Sequence, residues 1–258
     1  MIVESELFNV CQETLRIIEN CAEKIYPDVT DLVQWFISYA ADHKERLAFD
    51  LDIVRRHLPQ GTRVLEVGSI PLLLTSALAS CHYSVIGIDL APERFASSIS
   101  QLGLTVLKCD IEREGLLLQE DSVDAVIFNE LFEHLRINPI FSLSEVFRVI
   151  KPGGILFLSS PNLRSFMGIM NLLLRNRGYS CAGDPYTEFE KLLKLGHMGH
   201  VREYTSFELI DFLQKVGFVI DRIIYRGRYR SKKSQLLLQV FPSLRPFISY
   251  IGKKPARV

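Results

Sequence analysis

Arg63-Val64-Leu65-Glu66-Val67-Gly68 is the stretch of this sequence that decides the fold. It is a short apolar run that ends in an acid and a glycine, which is typical of a buried strand in a parallel sheet. A glycine at that point lets the backbone turn sharply and come close to a ligand. Ligands of open parallel sheets bind at the carboxyl ends of the strands, so Glu66 and Gly68 are the first candidate site residues.

Short apolar runs alternate with amphipathic segments on both sides of this stretch. The alternation predicts an α/β fold, a mostly parallel sheet with helices on both faces. The candidate strands are Arg63–Val67, Ser84–Asp89, Thr105–Lys108, Val123–Asn129, Ile155–Ser160, Phe218–Tyr225 and Phe247–Ile251. The candidate helices are Leu72–Ser80, Pro92–Leu102, Ile140–Ile150 and Ser206–Val216.

Two regions do not follow the alternation. Residues 1–60 have helical apolar spacing and are predicted to form an N-terminal helical cap on a main domain of residues 61–258. Residues 162–201 interrupt the main domain with an apolar helical piece, Phe166–Leu174, and a Gly/Ser/Asp/Pro-rich stretch. An insertion of that length is predicted to be a lid or substrate segment, with a surface excursion as the alternative.

Composition narrows the functional classes. Thirty basic residues balance thirty acidic ones, which argues against a nucleic-acid partner. The five cysteines are dispersed, as expected for reduced thiols, and the N-terminus lacks the pattern of a signal peptide. No run approaches the roughly 18 apolar residues of a membrane span, so a soluble, cytoplasmic protein is expected.

Acids recur at the ends of successive strands. Asp89 ends the second strand, where a carboxylate can accept hydrogen bonds from both hydroxyls of a ribose. Asp110 follows the third strand and is a candidate acceptor for an adenine amino group, with Ile111 packed on the ring face. One such acid alone is often a helix cap or a solvated loop residue, but three in order point to a nucleoside site.

These residues resemble the class I S-adenosylmethionine (SAM)-dependent methyltransferases. The landmarks are Val64–Gly68, Asp89, Asp110, the fourth strand through Ser122–Glu130 and the Lys-Pro-Gly-Gly turn that ends at Gly154. The resemblance implies a Rossmann-like sheet of seven strands, the last antiparallel, with SAM as cofactor. The cofactor-binding residues it implies are Arg46, Glu66, Gly68, Ser69, Ile70, Asp89, Leu90, Asp110, Ile111, Asn129 and Glu130.

One loop departs from the family pattern. The family usually has Gly-x-Gly-x-Gly after the first strand, whereas this chain has Gly68-Ser69-Ile70-Pro71-Leu72. SAM carries no phosphate, so the lost glycines matter less than they would for a dinucleotide. The altered loop keeps open the alternative of a non-catalytic, methyltransferase-like binding protein.

The acceptor side is indicated by Asn129-Glu-Leu-Phe-Glu-His-Leu135 and by the histidines of 196–205. If the first segment begins a helix, Glu130, Glu133 and His134 share one face. A similar pattern with a downstream histidine in ubiquinone-pathway and small-RNA O-methyltransferases implies a Mg²⁺ or similar site at Glu130, Glu133, His134 and His200. Lining of the acceptor pocket and a purely structural role are the alternatives for His134.

Candidate catalytic residues are His134 or His200 as the base and Tyr204, with Arg202, for orienting the acceptor. The expected reaction is direct methyl transfer to a small-molecule or saccharide- or lipid-linked acceptor, most simply at oxygen. An RNA methyltransferase is the other enzymatic alternative.

Two segments near the C-terminus are each compatible with several roles. The basic run Tyr225–Lys233 is either a phosphate, RNA or anionic-membrane contact or a solvated strand end. The apolar stretch Gln235–Pro246 is a candidate substrate lid, dimer contact or peripheral membrane contact. Neither the acceptor nor the oligomeric state follows from the sequence.

Overall fold

The structure is a computed structural model that describes residues 2–5, 10–195, 199–229 and 232–256, without the side chains of residues 5, 194, 195 and 232–235. Its centre is one eight-stranded sheet in the order β1-β7-β8-β6-β5-β2-β3-β4. The strands are β1 Ile2–Ser5, β2 Arg63–Val67, β3 Ser84–Asp89, β4 Thr105–Lys108, β5 Val123–Asn129, β6 Ile150–Pro161, β7 Val219–Arg226 and β8 Phe247–Lys253.

The sheet confirms the predicted α/β class and corrects the strand number. β2 pairs in parallel with β3 and β5, β3 with β4, and β5 with β6, whereas β8 is antiparallel to β6 and β7. The expected seven strands become eight, because β1 pairs in parallel with β7 at the edge. Residues 2–5 therefore form a strand, although the whole of 1–60 had been assigned to helices. Leu7, counted in that helical spacing, lies outside the described residues.

Helices cover both faces of the sheet. They are α1 Gln12–Ala22, α2 Val33–His57, α3 Leu73–Ser80, α4 Ala96–Gln101, α5 Pro139–Val149, α6 Phe166–Arg175, α7 Pro185–Leu195, α8 Ser206–Val216 and α9 Lys232–Val240. Alternate residues of β5 feed the two cores: Ala125 and Ile127 pack with α1–α3, whereas Val126 and Phe128 pack with α5 and α8. This two-residue period is what a strand buried on both faces requires.

Local sequence signals explain where the flanking helices stop and start. α8 begins with a capping box, in which Thr205 and Glu208 each accept a backbone N–H from the other residue. α5 ends at Val149, and the Nζ of Lys254 donates to the carbonyl oxygens of Phe147 and Ile150, each at 2.8 Å. A cation at a helix C-terminus offsets the unpaired carbonyls and the helix dipole. Gly153 then takes a φ of 81°, as the reversal into the sheet demands.

The insertion of residues 162–201 contains two helices, α6 and α7. α6 confirms the predicted helical piece, whereas α7 had not been predicted because Pro185 and its polar neighbours suggested a loop. Among the described residues, no helix is long and apolar enough to cross a membrane.

Candidate active site

A cavity of about 530 Å³ lies at the carboxyl ends of β2, β3 and β5, between α2 and the insertion. That size suits a small-molecule site. Most of the predicted cofactor residues line it, namely Arg46, Gly68, Ile70, Asp89, Leu90, Asp110, Ile111, Asn129 and Glu130. We call the part formed by Gly68, Asp89 and Asp110 the strand-end half, and the part formed by Glu133, His134, Cys181 and His200 the insertion half.

The altered loop still makes a tight turn against the sheet. The N–H groups of Gly68 and Ser69 both donate to the carbonyl oxygen of Ile88, at 2.8 and 3.1 Å. Gly68 has a φ of 77°, and a Cβ there would meet the Leu131 side chain at 3.3 Å. Leu72, where the family has a glycine, has a left-handed φ of 72° and is fully buried. That conformation costs a non-glycine residue ~1–2 kcal/mol, which burial of the leucine side chain offsets.

Glu66 and Ser69 lie beneath the cavity instead of lining it. The Glu66 carboxyl is 7% exposed and accepts a hydrogen bond from the Thr75 hydroxyl. Burial raises the pKa of Glu66 to about 8, and the hydrogen bond from Thr75 opposes the shift only in part. Ser69 packs its hydroxyl over Gly87, where a Cβ would approach within 2.8 Å. Both residues support the floor of the strand-end half.

Asp89 lies at the end of β3 with its carboxylate fixed by the two neighbouring loops. One oxygen accepts the N–H of Ile70 and the other accepts the N–H of Ala91, each at 3.0 Å. A carboxylate oxygen has more than one acceptor direction, so each can take a further hydrogen bond from a ligand. The backbone thus orients Asp89 before any ligand arrives.

Asp110 follows β4 at the same edge of the sheet. Its Oδ1 accepts the N–H of Glu112 at 3.1 Å, and its Oδ2 lies 3.5 Å from the Arg113 guanidinium. Glu112 also lines the cavity, and its Oε1 accepts three consecutive backbone N–H groups from residues 136–138. Sequence reasoning had missed Glu112 as the link between this loop and the segment before α5.

The cap helix α2 presents Tyr39, His43 and Arg46 to the cavity. Arg46 donates to the Tyr39 hydroxyl at 2.9 Å, and the rings of Tyr39 and His43 lie 4.4 Å apart. Burial, followed by the charge of Arg46, lowers the pKa of His43 to about 4. His43 is therefore a neutral imidazole at neutral pH.

A buried ionic network joins α2, β5 and β7. The fully buried Arg226 guanidinium lies 3.2 Å from Asp50 and 3.3 Å from Glu130. Glu130 has a left-handed φ of 50° and also accepts from the Ser159 hydroxyl at 2.8 Å. Burial raises the pKa of Asp50, which Arg226 and Arg46 oppose. Neither Asp50 nor Arg226 had been singled out from the sequence.

The segment after β5 does not continue as a helix. It turns at Glu130 and forms only a short 3₁₀ turn, Phe132–His134. The structure thus brings Glu133, His134 and His200 together, with ligand atoms within 4.8 Å of one another, whereas Glu130 is held by Arg226 outside that group. The expectation that Glu130, Glu133 and His134 share one helix face is wrong for this reason.

Both histidines of the insertion half are oriented through Nδ1. His134 donates from Nδ1 to the carbonyl oxygen of Gly199 at 2.9 Å, and His200 Nδ1 lies 3.4 Å from Glu203 Oε1. Because those oxygens can only accept, each neutral ring carries its lone pair on Nε2. The two rings meet edge to face with centroids 4.8 Å apart. His197, the other histidine of this segment, lies outside the described residues.

Glu203 anchors this arrangement, and sequence reasoning had missed it. Its carboxylate accepts N–H bonds from Ser180, Cys181 and Ala182. Burial alone would raise the pKa of Glu203, but the hydrogen bonds from His200 and Ser180 outweigh it and lower the pKa to about 2. Glu203 therefore remains charged and holds the insertion against the segment before α8.

Glu133 is a buried carboxyl group that the described residues do not support with hydrogen bonds. It is 1% exposed, and neither carboxyl oxygen has a hydrogen-bond partner among the described residues. Burial, and then the charge of Glu130, raise its pKa well above the usual range. A buried carboxyl without partners is costly, so a proton, a cation or a ligand donor is needed at this point.

Tyr204 and Arg202 lie apart from the cavity lining. The Tyr204 ring packs edge to face on Phe132 at 4.9 Å, and Arg202 stacks over Tyr204 at 4.7 Å while pairing with Glu208. In the basic run, Arg226 is buried in the ionic network and Arg228 pairs with Glu45 at 3.0 Å. Arg230 and Ser231 lie outside the described residues.

Comparison with known proteins agrees with this architecture. The sequence model of the methyltransferase domain family matches residues 65–158. A probable SAM-dependent methyltransferase of Mycolicibacterium smegmatis is 26% identical over 202 residues, which are 77% of this chain and 65% of that protein. A ubiquinone biosynthesis O-methyltransferase of Xanthomonas campestris is 36% identical over 107 residues, 40% of this chain and 44% of that protein. The chain thus spans less than two thirds of these relatives.

Solved structures share the fold. A SAM-dependent methyltransferase of Thermotoga maritima, titled a possible histamine N-methyltransferase, gives a TM-score of 0.58 at 20% identity, covering 87% of this chain and 97% of that one. The 1,6-didemethyltoxoflavin-N1-methyltransferase of Burkholderia thailandensis, with bound 1,6-didemethyltoxoflavin and S-adenosylhomocysteine, gives 0.55 at 16% identity and covers 86% of each chain. These structures share the fold of class I methyltransferases, and residues 65–158 of this chain match the methyltransferase domain family.

Proposed function

We propose that this chain binds SAM in the strand-end half of the cavity and transfers its methyl group to an acceptor oxygen in the insertion half. The observation that carries the proposal is Asp89, whose carboxylate the N–H groups of Ile70 and Ala91 aim at the cavity. A nucleoside placed there finds the Asp89 carboxylate for its ribose hydroxyls. Asp110 and Ile111 then lie where the base would extend.

Arg46 supports the same orientation from the other side. It lines the cavity from α2, and its Nε has no hydrogen-bond partner among the described residues. A guanidinium can bind the carboxylate of the methionine moiety through two parallel hydrogen bonds. The network of Asp50, Glu130 and Arg226 lies beside it and fixes the end of β5.

Methyl transfer itself needs alignment and removal of one proton. The sulfonium of SAM is already activated, so holding the acceptor oxygen in line with the methyl group supplies much of the rate. Nε2 of His134 is the proposed proton acceptor, because its Nδ1 is committed to Gly199. His200 is the second candidate, oriented by Glu203. The proposed acceptor is a small molecule or a saccharide- or lipid-linked intermediate.

A divalent cation is a second proposal for the insertion half, supported by the two Glu133 oxygens, which have no hydrogen-bond partner in the described part of the chain. Glu133, His134 and His200 offer a carboxylate and two imidazoles, and both histidines have the second hydrogen bond that metal-binding histidines usually make. Two nitrogen ligands suit Mn²⁺ or Zn²⁺ better than Mg²⁺. A bound cation would lower the pKa of an acceptor hydroxyl.

Two titrations test these proposals without knowledge of the acceptor. Calorimetry with SAM and S-adenosylhomocysteine should show one site per chain; absence of binding at millimolar ligand would favour the non-catalytic alternative. Titration with Mn²⁺ alone should show a site that Glu133→Gln removes and that the exposed control Glu23→Gln keeps. Equal Mn²⁺ binding by both variants would exclude the cation at Glu133.

A further inference from the structure

The two helices of the insertion, α6 and α7, each bury a polar residue and expose large apolar ones. In α6, Gly168 and Asn171 are buried, whereas the consecutive leucines 172, 173 and 174 are 57, 73 and 72% exposed. The Asn171 amide is satisfied inside the protein, since it donates to the carbonyl oxygen of Tyr179 and accepts from Arg175. A helix that packs its polar residue inward and its leucines outward has an apolar environment outside the chain.

α7 repeats this arrangement beside the cavity. Its buried residues are Glu188, 1% exposed, and Leu192, whereas Tyr186, Phe189 and Leu193 are 77, 53 and 87% exposed. Their spacing places these three on one outward stripe of the helix. The Glu188 carboxylate is matched internally by Lys191 Nζ at 2.7 Å and by the N–H of His200 at 2.9 Å. Because Glu188, Lys191 and Leu192 line the cavity, the apolar stripe lies on the opposite side of the wall of its insertion half.

The charge around α6 indicates which kind of partner contacts the exposed apolar faces of α6 and α7. Residues 162–183 contain three arginines, Arg164, Arg175 and Arg177, and no acidic residue, in a chain whose net charge is zero. Residues 184–195 add two lysines and three acids, so the insertion up to the end of α7 keeps a basic excess of two. All three arginines are exposed; Arg175 directly follows Leu174, and Arg177 lies two residues further on. A two-fold dimer through this patch would set the arginines of both copies against each other. An anionic lipid surface instead offers an apolar layer for the leucines and phosphate groups for the guanidiniums.

We propose that the outward faces of α6 and α7 dock on an anionic phospholipid bilayer, with Leu172–Leu174 in the interface and Arg175 and Arg177 on lipid phosphates. The basic run Tyr225–Lys233 reaches the same side of the molecule. Its Tyr229 hydroxyl accepts the N–H of Met167 at the beginning of α6. The docking requires no methyl transfer. It brings the insertion half of the cavity to the membrane surface, where a lipid-linked acceptor would be found.

Sedimentation with phosphatidylcholine vesicles, with and without phosphatidylglycerol, tests this directly. We expect binding only to the anionic vesicles and release by salt. Replacing both Arg175 and Arg177 by Gln should weaken binding about 30-fold, whereas Lys215→Gln, 75% exposed in its side chain, should not. Replacing Leu173 and Leu174 by Ser should weaken binding at least about tenfold, whereas Leu117→Ser, at a leucine 71% exposed elsewhere, should not.

Circular dichroism and the melting temperature of each variant confirm that folding is intact before binding is compared. Absence of binding to anionic vesicles by the wild-type chain would overturn the proposal. So would equal binding by the arginine or leucine variants and their controls. A dimer in light scattering that the leucine variant alone dissociates would show that a second copy of the chain covers the patch.

Discussion

The strand-end half and the insertion half of the cavity hold their polar groups in different ways. Asp89 and Asp110 lie at or just after strand ends. Asp89 accepts the N–H groups of Ile70, after the neighbouring strand β2, and of Ala91, and Asp110 accepts the N–H of Glu112. In the insertion half, His134 and His200 depend on Gly199 and Glu203, and Glu133 has no hydrogen-bond partner among the described residues. The proposed nucleoside site therefore lies on the edge of the sheet, whereas the proposed acceptor site depends on contacts with the insertion.

The largest expected effect concerns the ionic network behind both halves. Arg226→Ala should lower the free energy of unfolding by about 3–5 kcal/mol, because it leaves the buried Asp50 and the partly buried Glu130 without their cation. Urea denaturation measures the loss, with Arg228→Ala as the control. Arg228 is exposed and pairs with Glu45, so it should cost less than about 1 kcal/mol. Similar losses for both would show that the network does not hold the two halves together.

Glu66, in the floor of the strand-end half, should make the free energy of unfolding depend on pH. The pKa of Glu66 is about 8 when folded, against the ordinary 4.5, so the folded state keeps a proton that the unfolded state releases. Its contribution to stability is therefore complete below about pH 4.5 and is lost as the pH rises towards 8. We expect Glu66→Gln to flatten the fall in unfolding free energy between about pH 5 and 8 by roughly 3 kcal/mol. Parallel pH profiles of variant and wild type would contradict the protonated Glu66.

A variant in the insertion half should separate chemistry from cofactor binding. With an oxygen acceptor in hand, His134→Ala should lower kcat at least about 100-fold, because the proton acceptor is lost. Its dissociation constant for S-adenosylhomocysteine should stay within about threefold of wild type. Loss of cofactor affinity in this variant would mean that the two halves are not independent.

The smallest expected effect is at Asp110. Asp110→Asn keeps an oxygen for the N–H of Glu112 but removes the charge that would face the base in the proposed orientation. We expect cofactor affinity to fall about tenfold or less, as for one hydrogen bond to a partly exposed carboxylate. A loss of cofactor affinity as large as that expected for Asp89→Ala would contradict the proposed orientation of the nucleoside.

Sequence reasoning reached the sheet and the strand-end half because both depend on local pattern. Apolar runs between amphipathic segments located β2 to β5 at their observed bounds, and the acids at or just after the ends of β2, β3 and β4 were recognised by their position. The loop turns sharply without its glycines, because Leu72 takes the left-handed φ that glycine would take more readily. The eighth strand was missed because four residues at the sheet edge carry little pattern.

The remaining site residues depend on contacts far apart in the chain. Arg226 is at the end of an apolar strand, and its pairing with Asp50 and Glu130 exists only in three dimensions. Glu203 lies before α8, and only the folded chain brings it to Ser180–Ala182 and His200. The only sequence signal for either was a charged residue inside an otherwise apolar or helix-starting segment.

The most direct test of SAM binding at Asp89 is calorimetry of S-adenosylhomocysteine with the wild-type chain and with Asp89→Ala. Asp211→Ala, at a well-exposed acid paired with Lys215, is the matched control. We predict one site per chain, unchanged in the control and weakened about 100-fold in Asp89→Ala through loss of the ribose hydrogen bonds. No binding by the wild-type chain at millimolar ligand, or equal affinity in Asp89→Ala, would contradict the account.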